Sequence, residues 1–347
     1  DYFTFTKSSH PDISIIITIH NQAHCIHKCI RSVQNQSLKS IEILLIDDCS
    51  TDNSTKIIKE FQKNDKRIIL LNHDTNEGKI KSRTDGIRLA KGKYITIIDG
   101  DDTLLHQNIL NNSLTLANLG KLDVVEFKAL MYKHGVFRKV LNNFEIFQIK
   151  GVIYQPELRT KFFKIGNRTF DRPIRARSIC FKLIRNEIFQ LAIMNIGAKY
   201  TEDFINNCED TIMLVAIYQI AKSYYLMKEK GYYYSKDDKN GRFPSLKNKI
   251  CKPNGKIKDL SHVKFLQYLV EKTLDNEIER QVLYHEFISI NYYSNFVRFT
   301  SHHYEMIFEV LDAMNKSSFI KISQKGILMK IKNDLMKKQN KKKYNKI

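Results

Sequence analysis

No stretch of the 347-residue sequence is apolar and uncharged for long enough to cross a bilayer. The six cysteines show no paired Cys-x-x-Cys spacing, which is typical of reduced thiols in a reducing compartment. The sequence begins at Asp1 without an initiator methionine or a charged-then-apolar leader, so an anchor further upstream stays open. A composition of 42% apolar and 27% charged residues indicates a globular protein. We therefore expect it in the cytoplasm or on the cytoplasmic face of a membrane.

The charge is strongly biased, because 57 lysines and arginines face 37 aspartates and glutamates. Such a surplus suits anionic partners: nucleoside diphosphates, acidic membrane surfaces or nucleic acid. No RNP-type aromatic pattern, zinc finger or helix-turn-helix signal accompanies the charge, which argues against nucleic acid. Many of the lysines lie in a basic tail at 331–347, which could contact an anionic membrane surface or remain solvated.

Strands and helices alternate through the first hundred residues. Apolar, β-branched runs predict buried strands at 13–19, 42–46, 67–71 and 93–98. Helical spacing predicts helices over 22–36, 53–64 and 79–91, the last with Gly92 as its C′ residue. Alternation of this kind favours an α/β fold with a mostly parallel sheet and right-handed crossovers.

Acidic side chains follow two of these predicted strands. Asp99, Asp101 and Asp102 place three carboxylates within four positions, and Asp47 and Asp48 end an earlier strand. Carboxylates this close repel one another unless a cation neutralises them, and Mg²⁺ or Mn²⁺ is the simplest occupant. Because parallel strands end at one edge of a sheet, the two groups can meet in one crevice. A solvated acidic turn is the alternative.

The ordered motifs resemble the family 2 glycosyltransferases with a GT-A fold. The matching text reads ISIIITIHN at 13–21, SVQNQS at 32–37, EILLIDDCSTD at 42–52, NEGKIKSRTDG at 76–86, AKGKYI at 90–95 and IDGDD at 98–102. Weaker matches follow at KLIR (182–185), CEDT (208–211) and YYYS (232–235). The resemblance implies a GT-A (Rossmann-like) catalytic domain over 12–240. A helical appendage over 241–330 would then face the acceptor or a membrane.

This resemblance implies transfer of a sugar from a nucleoside-diphosphate sugar, most simply a UDP-sugar, to a hydroxyl of a carbohydrate or lipid-linked acceptor. The family's DxD element corresponds to Asp99-Gly100-Asp101. It would hold Mn²⁺ or Mg²⁺ through Asp101 first, with Asp99 and Asp102 in support, and the cation would neutralise the leaving diphosphate. The implied nucleotide-sugar-binding residues are Thr18, His20, Asn21, Asp47, Asp48, Gly78, Arg83 and Asp99.

Attack also needs a base on the face opposite the leaving group. The resemblance implies Asp210, with Glu209 beside it, and in-line attack would invert the anomeric centre. Tyr200-Thr201-Glu202-Asp203 is a rival acidic element. We favour Asp210 because a helix and the tyrosine-rich strand follow it at the spacing typical of the family.

Two departures from the family pattern keep alternatives open. Thr18-Ile19-His20-Asn21 replaces the usual Pro-x-Tyr-Asn, and Asp85 stands where asparagine is common. A catalytically inactive nucleotide-sugar-binding or scaffold domain is therefore one alternative. A sugar-phosphate nucleotidylyltransferase is another, although the glycine-rich basic loop it needs after the first strand is missing.

A cluster of His and Cys residues early in the chain raises the question of a zinc site. Its members are His20, His24, Cys25, His27 and Cys29. Their spacing fits no closed four-ligand site, and several must face the buried side of the predicted helix. The aromatic pairs Tyr292-Tyr293 and Phe296/Phe299 indicate core packing rather than a carbohydrate platform.

Overall fold

A computed structural model describes residues 10–133, 136–141, 151–162, 178–206, 208–235, 261–272, 307–309, 311–312, 325 and 329–337. The strands are β1 (Ile13–Ile19), β2 (Ile41–Asp47), β3 (Ile68–Asn72), β4 (Tyr94–Asp99), β5 (Thr103–Leu104), β6 (Val124–Lys133), β7 (Val136–Leu141), β8 (Val152–Tyr154), β9 (Lys182–Arg185) and β10 (Ser223–Ser235). The helices are α1 (Ile26–Gln34), α2 (Ser54–Asn64), α3 (Lys79–Leu89), α4 (Ile109–Leu119), α5 (Glu157–Phe162), α6 (Asn186–Ile196), α7 (Ala198–Thr201), α8 (Glu209–Ile220) and α9 (Ser261–Lys272). The prediction of an α/β fold is confirmed.

All ten described strands belong to one sheet, ordered β3-β2-β1-β4-β9-β6-β10-β5, with β7 beside β6 and β8 beside β10. Strands β1 to β4 are parallel. Strand β9 is antiparallel to both β4 and β6, and β6 is parallel to β10. The carboxyl ends of β1, β2, β4, β6 and β10 therefore share one edge of the sheet. Ligands of open α/β sheets bind at this kind of edge.

The central strands are buried on both faces. Every residue of β1 and β2 is buried, as their nearly uninterrupted apolar sequences predict. Helix α1 contributes Ile26, Cys29, Ile30 and Val33 to the core, at the spacing that predicted it. It begins four residues later than predicted, because the amides of Cys25 and Ile26 both bond to Gln22 O and close a turn first.

Two later strands extend well beyond their apolar residues. Val124 and Val125 begin a ten-residue strand, β6. The tyrosine triplet at 232–234 is the end of a 13-residue strand, β10. Both strands carry lysines and tyrosines toward their carboxyl ends, where apolar runs no longer mark a strand. Pairing with each other keeps these polar segments extended.

The prediction that Gly92 is the C′ residue of a helix is wrong. Helix α3 ends at Leu89, and Ala90 is its C-cap in an extended conformation. Gly92 instead packs against β1, where its amide donates to Ser14 Oγ at 2.8 Å. A Cβ atom here would lie 2.4 Å from Ser14 N and 2.8 Å from Ile13 C. The position requires glycine because the backbone of β1 occupies the space of a side chain.

We expect Gly92→Ala to destabilise the protein by about 3 kcal/mol, because strand backbone cannot move aside as a side chain can. Thermal unfolding measures this as a lower melting temperature. Gly86→Ala is the matched comparison, since its Cβ would meet only side-chain atoms of Ile16. Gly86→Ala should lower the melting temperature less than Gly92→Ala does. Equal melting temperatures for Gly92→Ala and the native chain would contradict the packing argument.

The chain divides into two compact units. The first comprises Asp1–Arg159, Ala176–Phe204 and Met213–Asp237 and holds the whole sheet. The second comprises Thr160–Arg175, Ile205–Ile212 and Asp238–Ile347. Its described residues are mostly helical, and its buried apolar residues include Phe265, Tyr268, Ile307, Leu311, Ile331 and Leu335. The rest of the predicted appendage, the aromatic pairs at 292–299 and the tail at 338–347 lie outside the described residues.

Five of the six cysteines lie within the described ranges, and these five are free thiols. Helices long and apolar enough to span a bilayer do not occur in the described part of the chain.

Candidate active site

The ends of three neighbouring strands meet at the carboxyl edge of the sheet. Thr18 of β1 lies in register with Asp99 of β4, and Ile19 lies in register with Asp47 of β2. Beyond the strands, the Gly100 amide donates to Thr18 O at 3.3 Å, and the Asp48 amide donates to Ile19 O at 2.8 Å. The two acidic groups of the sequence therefore flank the end of β1 on its two sides.

Three carboxylates gather in the turn after β4. One oxygen from each of Asp99, Asp101 and Asp102 lies within 4.8 Å of the others. Asp102 is fully buried, whereas Asp99 and Asp101 are partly exposed. Clustered carboxylate oxygens are the ligands that Mg²⁺ and Mn²⁺ prefer, so this donor set fits a hard divalent cation.

This is the only such group among the residues that the structure describes. The cluster His20, His24, Cys25, His27 and Cys29, all described, forms no comparable set. Instead, the thiols of Cys25 and Cys29 lie 3.8 Å from the carbonyl oxygens of Gly100 and Asp99. These two cysteines pack beneath the acidic turn.

Two basic side chains from α3 face Asp99. The guanidinium of Arg83, which is fully buried, donates to Asp99 Oδ1 at 3.1 Å. Lys79 Nζ lies 4.0 Å from Asp99 Oδ2, and its side chain is 46% exposed. Arg83 was among the predicted site residues, but Lys79 was not. Lys79 directly follows Gly78 and begins α3, and this position in the sequence could have indicated that it lies at the site.

Hydrogen bonds of Asp102 connect the acidic turn to the end of β10. Its Oδ2 accepts the Tyr232 hydroxyl at 2.8 Å, and its Oδ1 accepts the Ser235 amide at 2.9 Å. Burial, and then the charge of Asp99, raise the pKa of Asp102 well above its usual range. Burial and the charge of Asp102 likewise raise the pKa of Tyr232, so this hydroxyl keeps the proton that it donates.

The Asp47 and Asp48 side chains hold the neighbouring loops in place. Asp47 accepts the Ser50 amide at 3.1 Å, in the turn before α2, and the Thr55 hydroxyl in the first turn of that helix. Asp48 accepts the amides of Glu77 at 2.8 Å and Gly78 at 2.9 Å. Gly78 has φ +90°, a conformation that favours glycine, and so turns both amides toward Asp48.

His20 and Asn21 form the rim of the site after β1. His20 Nδ1 donates to the Asp48 carbonyl at 2.7 Å, which leaves Nε2 to accept from the side-chain Nδ2 of Asn21 at 3.2 Å. Asn21 adopts a left-handed conformation with φ +54°, and its side-chain oxygen accepts the Thr51 amide at 2.8 Å. Asn76 Nδ2 also reaches His20, at 3.3 Å from Nε2. Exposed polar groups thus line this end of the site.

Behind Asp48, a partly buried chain of hydrogen-bonded side chains reaches α3. The His73 ring lies between two carboxylates, 2.9 Å from Asp48 Oδ1 and 3.2 Å from Asp85 Oδ2. Lys81 reaches Asp85 at 2.6 Å. Sequence reasoning missed His73, although Asp85, its partner, stood out as a departure from the family pattern.

The rival acidic element at 200–203 is partly neutralised. Glu202 pairs with Arg88 at 2.7 Å and with Lys81 at 3.1 Å. Burial opposes ionisation of Glu202, but the hydrogen bonds from these two cations outweigh it and lower the pKa of this carboxyl. Asp203 accepts the amide of Phe204 at 2.8 Å. Glu202 is therefore held as an ion-paired carboxylate.

Glu209 and Asp210 form the first turn of α8, where the helix dipole favours negative charge. Glu209 is buried and Asp210 is partly exposed. From Met213 to Tyr218 the same helix is completely buried.

Residues 14–191, about half of the chain, match the model of the family described as Glycosyl transferase family 2. The chain belongs to glycosyl transferase family 2. The Asp99, Asp101 and Asp102 group is thus the DxD-like element of a family 2 chain.

Curated relatives in the family carry glycosyltransferase names. The chain is 28% identical to Glycosyltransferase GlyG of Streptococcus pneumoniae over 55% of its own length and 62% of that protein. It is 26% identical to the GalNAc(5)-diNAcBac-PP-undecaprenol beta-1,3-glucosyltransferase of Campylobacter jejuni, over 63% of each. The chain thus spans about three fifths of the length of these two relatives.

Solved structures support the fold assignment. The TarS 1–349 fragment of S. aureus, solved with UDP-GlcNAc, matches with a TM-score of 0.64 at 16% identity, over 93% of this chain and 89% of that one. The likeness confirms the predicted GT-A fold.

Proposed function

We propose that this chain is an inverting, metal-dependent glycosyltransferase that moves a sugar from a UDP-sugar to an acceptor hydroxyl. The observation that carries the proposal is the acidic group of Asp99, Asp101 and Asp102 at the carboxyl edge of a family 2 sheet. A UDP donor is supported by the presence of UDP-GlcNAc in the matching TarS structure.

In this proposal, Asp101 and Asp99 would hold a divalent cation, with Asp102 in support. When bound, the cation supplies positive charge that offsets the growing negative charge of the leaving diphosphate. Lys79 adds a second positive charge from the start of α3, where anions are also favoured by the helix dipole. Arg83 fixes the position of Asp99, because its buried guanidinium donates a hydrogen bond to that carboxylate.

The nucleoside would lie over the ends of β1 and β2. His20, Asn21 and Asn76 expose polar groups there, and Thr18 borders the acidic turn. Asp47 and Asp48 would shape this pocket by holding the loops before α2 and α3. Gly78 would keep the second loop turned toward the pocket, since other residues rarely adopt its backbone conformation.

Asp210 is the proposed general base, with Glu209 beside it. Glu202 is a weaker candidate because its charge is already paired with Lys81 and Arg88. A base that removes the acceptor proton on the face opposite the diphosphate gives inversion at the anomeric carbon. The name of the Campylobacter relative includes an undecaprenol-diphosphate-linked saccharide, which supports a carbohydrate or lipid-linked acceptor.

A donor panel tests the proposal. Purified chain is incubated with UDP-, GDP- and dTDP-sugars, with Mn²⁺ or Mg²⁺ or EDTA, and release of nucleoside diphosphate is measured. We expect release from at least one UDP-sugar that requires the divalent cation. Binding without release would favour the non-catalytic alternative, and metal-independent release would contradict the role of the acidic group.

Nucleotide affinity should depend on His73. His73→Phe keeps a ring of similar size but removes both hydrogen bonds, so Asp48 loses a donor. We expect about tenfold weaker UDP binding, measured by isothermal titration calorimetry in the presence of Mn²⁺. His106→Phe is the control, because His106 also pairs with a carboxylate, that of Glu229, and is not among the proposed site residues. Equal UDP affinity in His73→Phe and the native chain would contradict this role.

A further inference from the structure

An aromatic row lies at the same sheet edge as the acidic group. Strands β6 and β10 run parallel to each other and in the direction of β4, so both end at that edge. Near these ends, Tyr132 of β6 lies in register with Ser235. Tyr233 of β10 lies in register with Thr103, the residue that follows Asp102. The row therefore begins next to the turn that would hold the cation.

The rings of this row contact one another directly. Tyr132 stacks on Tyr233 with ring centroids 4.5 Å apart and planes 14° apart. Phe137 of β7 meets Tyr132 edge-on at 5.8 Å. We call these three residues the aromatic row. Tyr132 and Tyr233 are half-buried, and Phe137 is 50% exposed.

The row differs from Tyr232, the residue that precedes Tyr233 in β10. Tyr232 is fully buried, and its hydroxyl bonds to Asp102, so it supports the turn from within the core. Side chains alternate along a strand, so Tyr233 stands on the opposite face from Tyr232. Exposed aromatic surface of this kind is costly in water and marks ligand-binding surfaces when it is contiguous.

We propose that the aromatic row binds the saccharide of the acceptor, by stacking of a sugar ring on Tyr132 and Phe137. The inference rests on the proposed function, since an acceptor must bring its hydroxyl to the donor sugar beside the acidic group. A sugar is the occupant that fits best: its C–H face packs on aromatic rings, while tyrosine hydroxyls can bond to its own hydroxyls. The row adjoins the acidic turn through the Tyr233–Thr103 pair, which is where an acceptor has to lie.

A single-tryptophan reporter tests the proposal. The chain contains no tryptophan, so Phe137→Trp places one fluorophore in the row. Tyr154→Trp is the matched control: Tyr154 is 58% exposed and pairs with Ser223, at the opposite end of β10. The probes are β-methyl glycosides of glucose, galactose, N-acetylglucosamine and N-acetylgalactosamine, and their β-linked disaccharides.

We expect a saturable emission change in Phe137→Trp with at least one of these sugars and none in Tyr154→Trp. Tyr132→Ala, combined with the reporter, should weaken that response about five- to tenfold, and Tyr132→Phe should retain most of it. If none of the sugars changes the emission of Phe137→Trp, the proposal is overturned. A response to phosphatidylglycerol vesicles alone, which would make the row a lipid contact, also overturns it.

Nucleotide binding separates this inference from the proposed function. UDP affinity should be unchanged in Tyr132→Ala, and a parallel loss of UDP binding would mean that the row only supports the acidic turn. If the native chain binds no UDP but the reporter still responds to sugars, the proposed function fails while the aromatic row stands as a saccharide site.

Discussion

Replacing Asp101 with asparagine is expected to lower sugar transfer by about two to three orders of magnitude. Asparagine keeps the size of the side chain but removes one of the three carboxyl groups of the acidic group. The remaining carboxylates would hold a divalent cation more weakly, and the leaving diphosphate would lose its counter-charge. The loss of sugar transfer is measured as steady-state release of UDP from the best donor at several Mn²⁺ concentrations.

Asp12→Asn is the matched control for that variant. Asp12 is also partly exposed, but it directly precedes β1 and so lies at the opposite edge of the sheet. It should retain native activity. Full activity in Asp101→Asn at saturating Mn²⁺ would remove this residue from the proposed metal site, and equal losses in both variants would point to general damage.

Asp210→Asn is expected to lower kcat about 10²- to 10⁴-fold, the usual contribution of a general base. The donor KM should change little, because the base acts on the acceptor hydroxyl rather than on the nucleotide. Asparagine cannot take the proton, but it keeps the size of the side chain in the first turn of α8, so the fold should be preserved. The measurement is steady-state transfer with donor and acceptor varied separately.

Asp203→Asn decides between the two acidic elements. Asp203 lies beside Glu202, whose carboxylate is already paired with Lys81 and Arg88. If Asp210 is the base, Asp203→Asn should keep kcat close to the native value. The reverse pattern, with kcat lost in Asp203→Asn and kept in Asp210→Asn, would move the base to the rival element.

The sequence predicted the parallel half of the sheet because each strand there is a local signal. β1 and β2 are buried runs of β-branched and aliphatic residues, and the amphipathic helix α1 separates them. Strand boundaries in the second half were harder to predict. The polar ends of β6 and β10 are held extended by pairing with each other, and residues about a hundred positions apart do not reveal such pairing locally.

The acidic group was predictable for the same reason, since its three carboxylates are adjacent in sequence. Their partners were not all predictable. Tyr232 bonds to Asp102 across 130 residues, and His73 joins Asp48 to Asp85 through side chains alone. The sequence indicated Asp48 as a candidate for nucleotide binding, but it did not indicate that Asp48 accepts two loop amides, because these amides come from a loop about 30 residues later.

The central claim is that carboxylates from the turn after β4 hold a cation-bound diphosphate at this edge of the sheet. Isothermal titration calorimetry of UDP into the native chain, with Mn²⁺ and then with EDTA, tests it most directly. We expect saturable UDP binding with Mn²⁺ that is lost with EDTA and is strongly weakened in Asp101→Asn. UDP binding of equal strength in EDTA, or none with Mn²⁺ present, would contradict it.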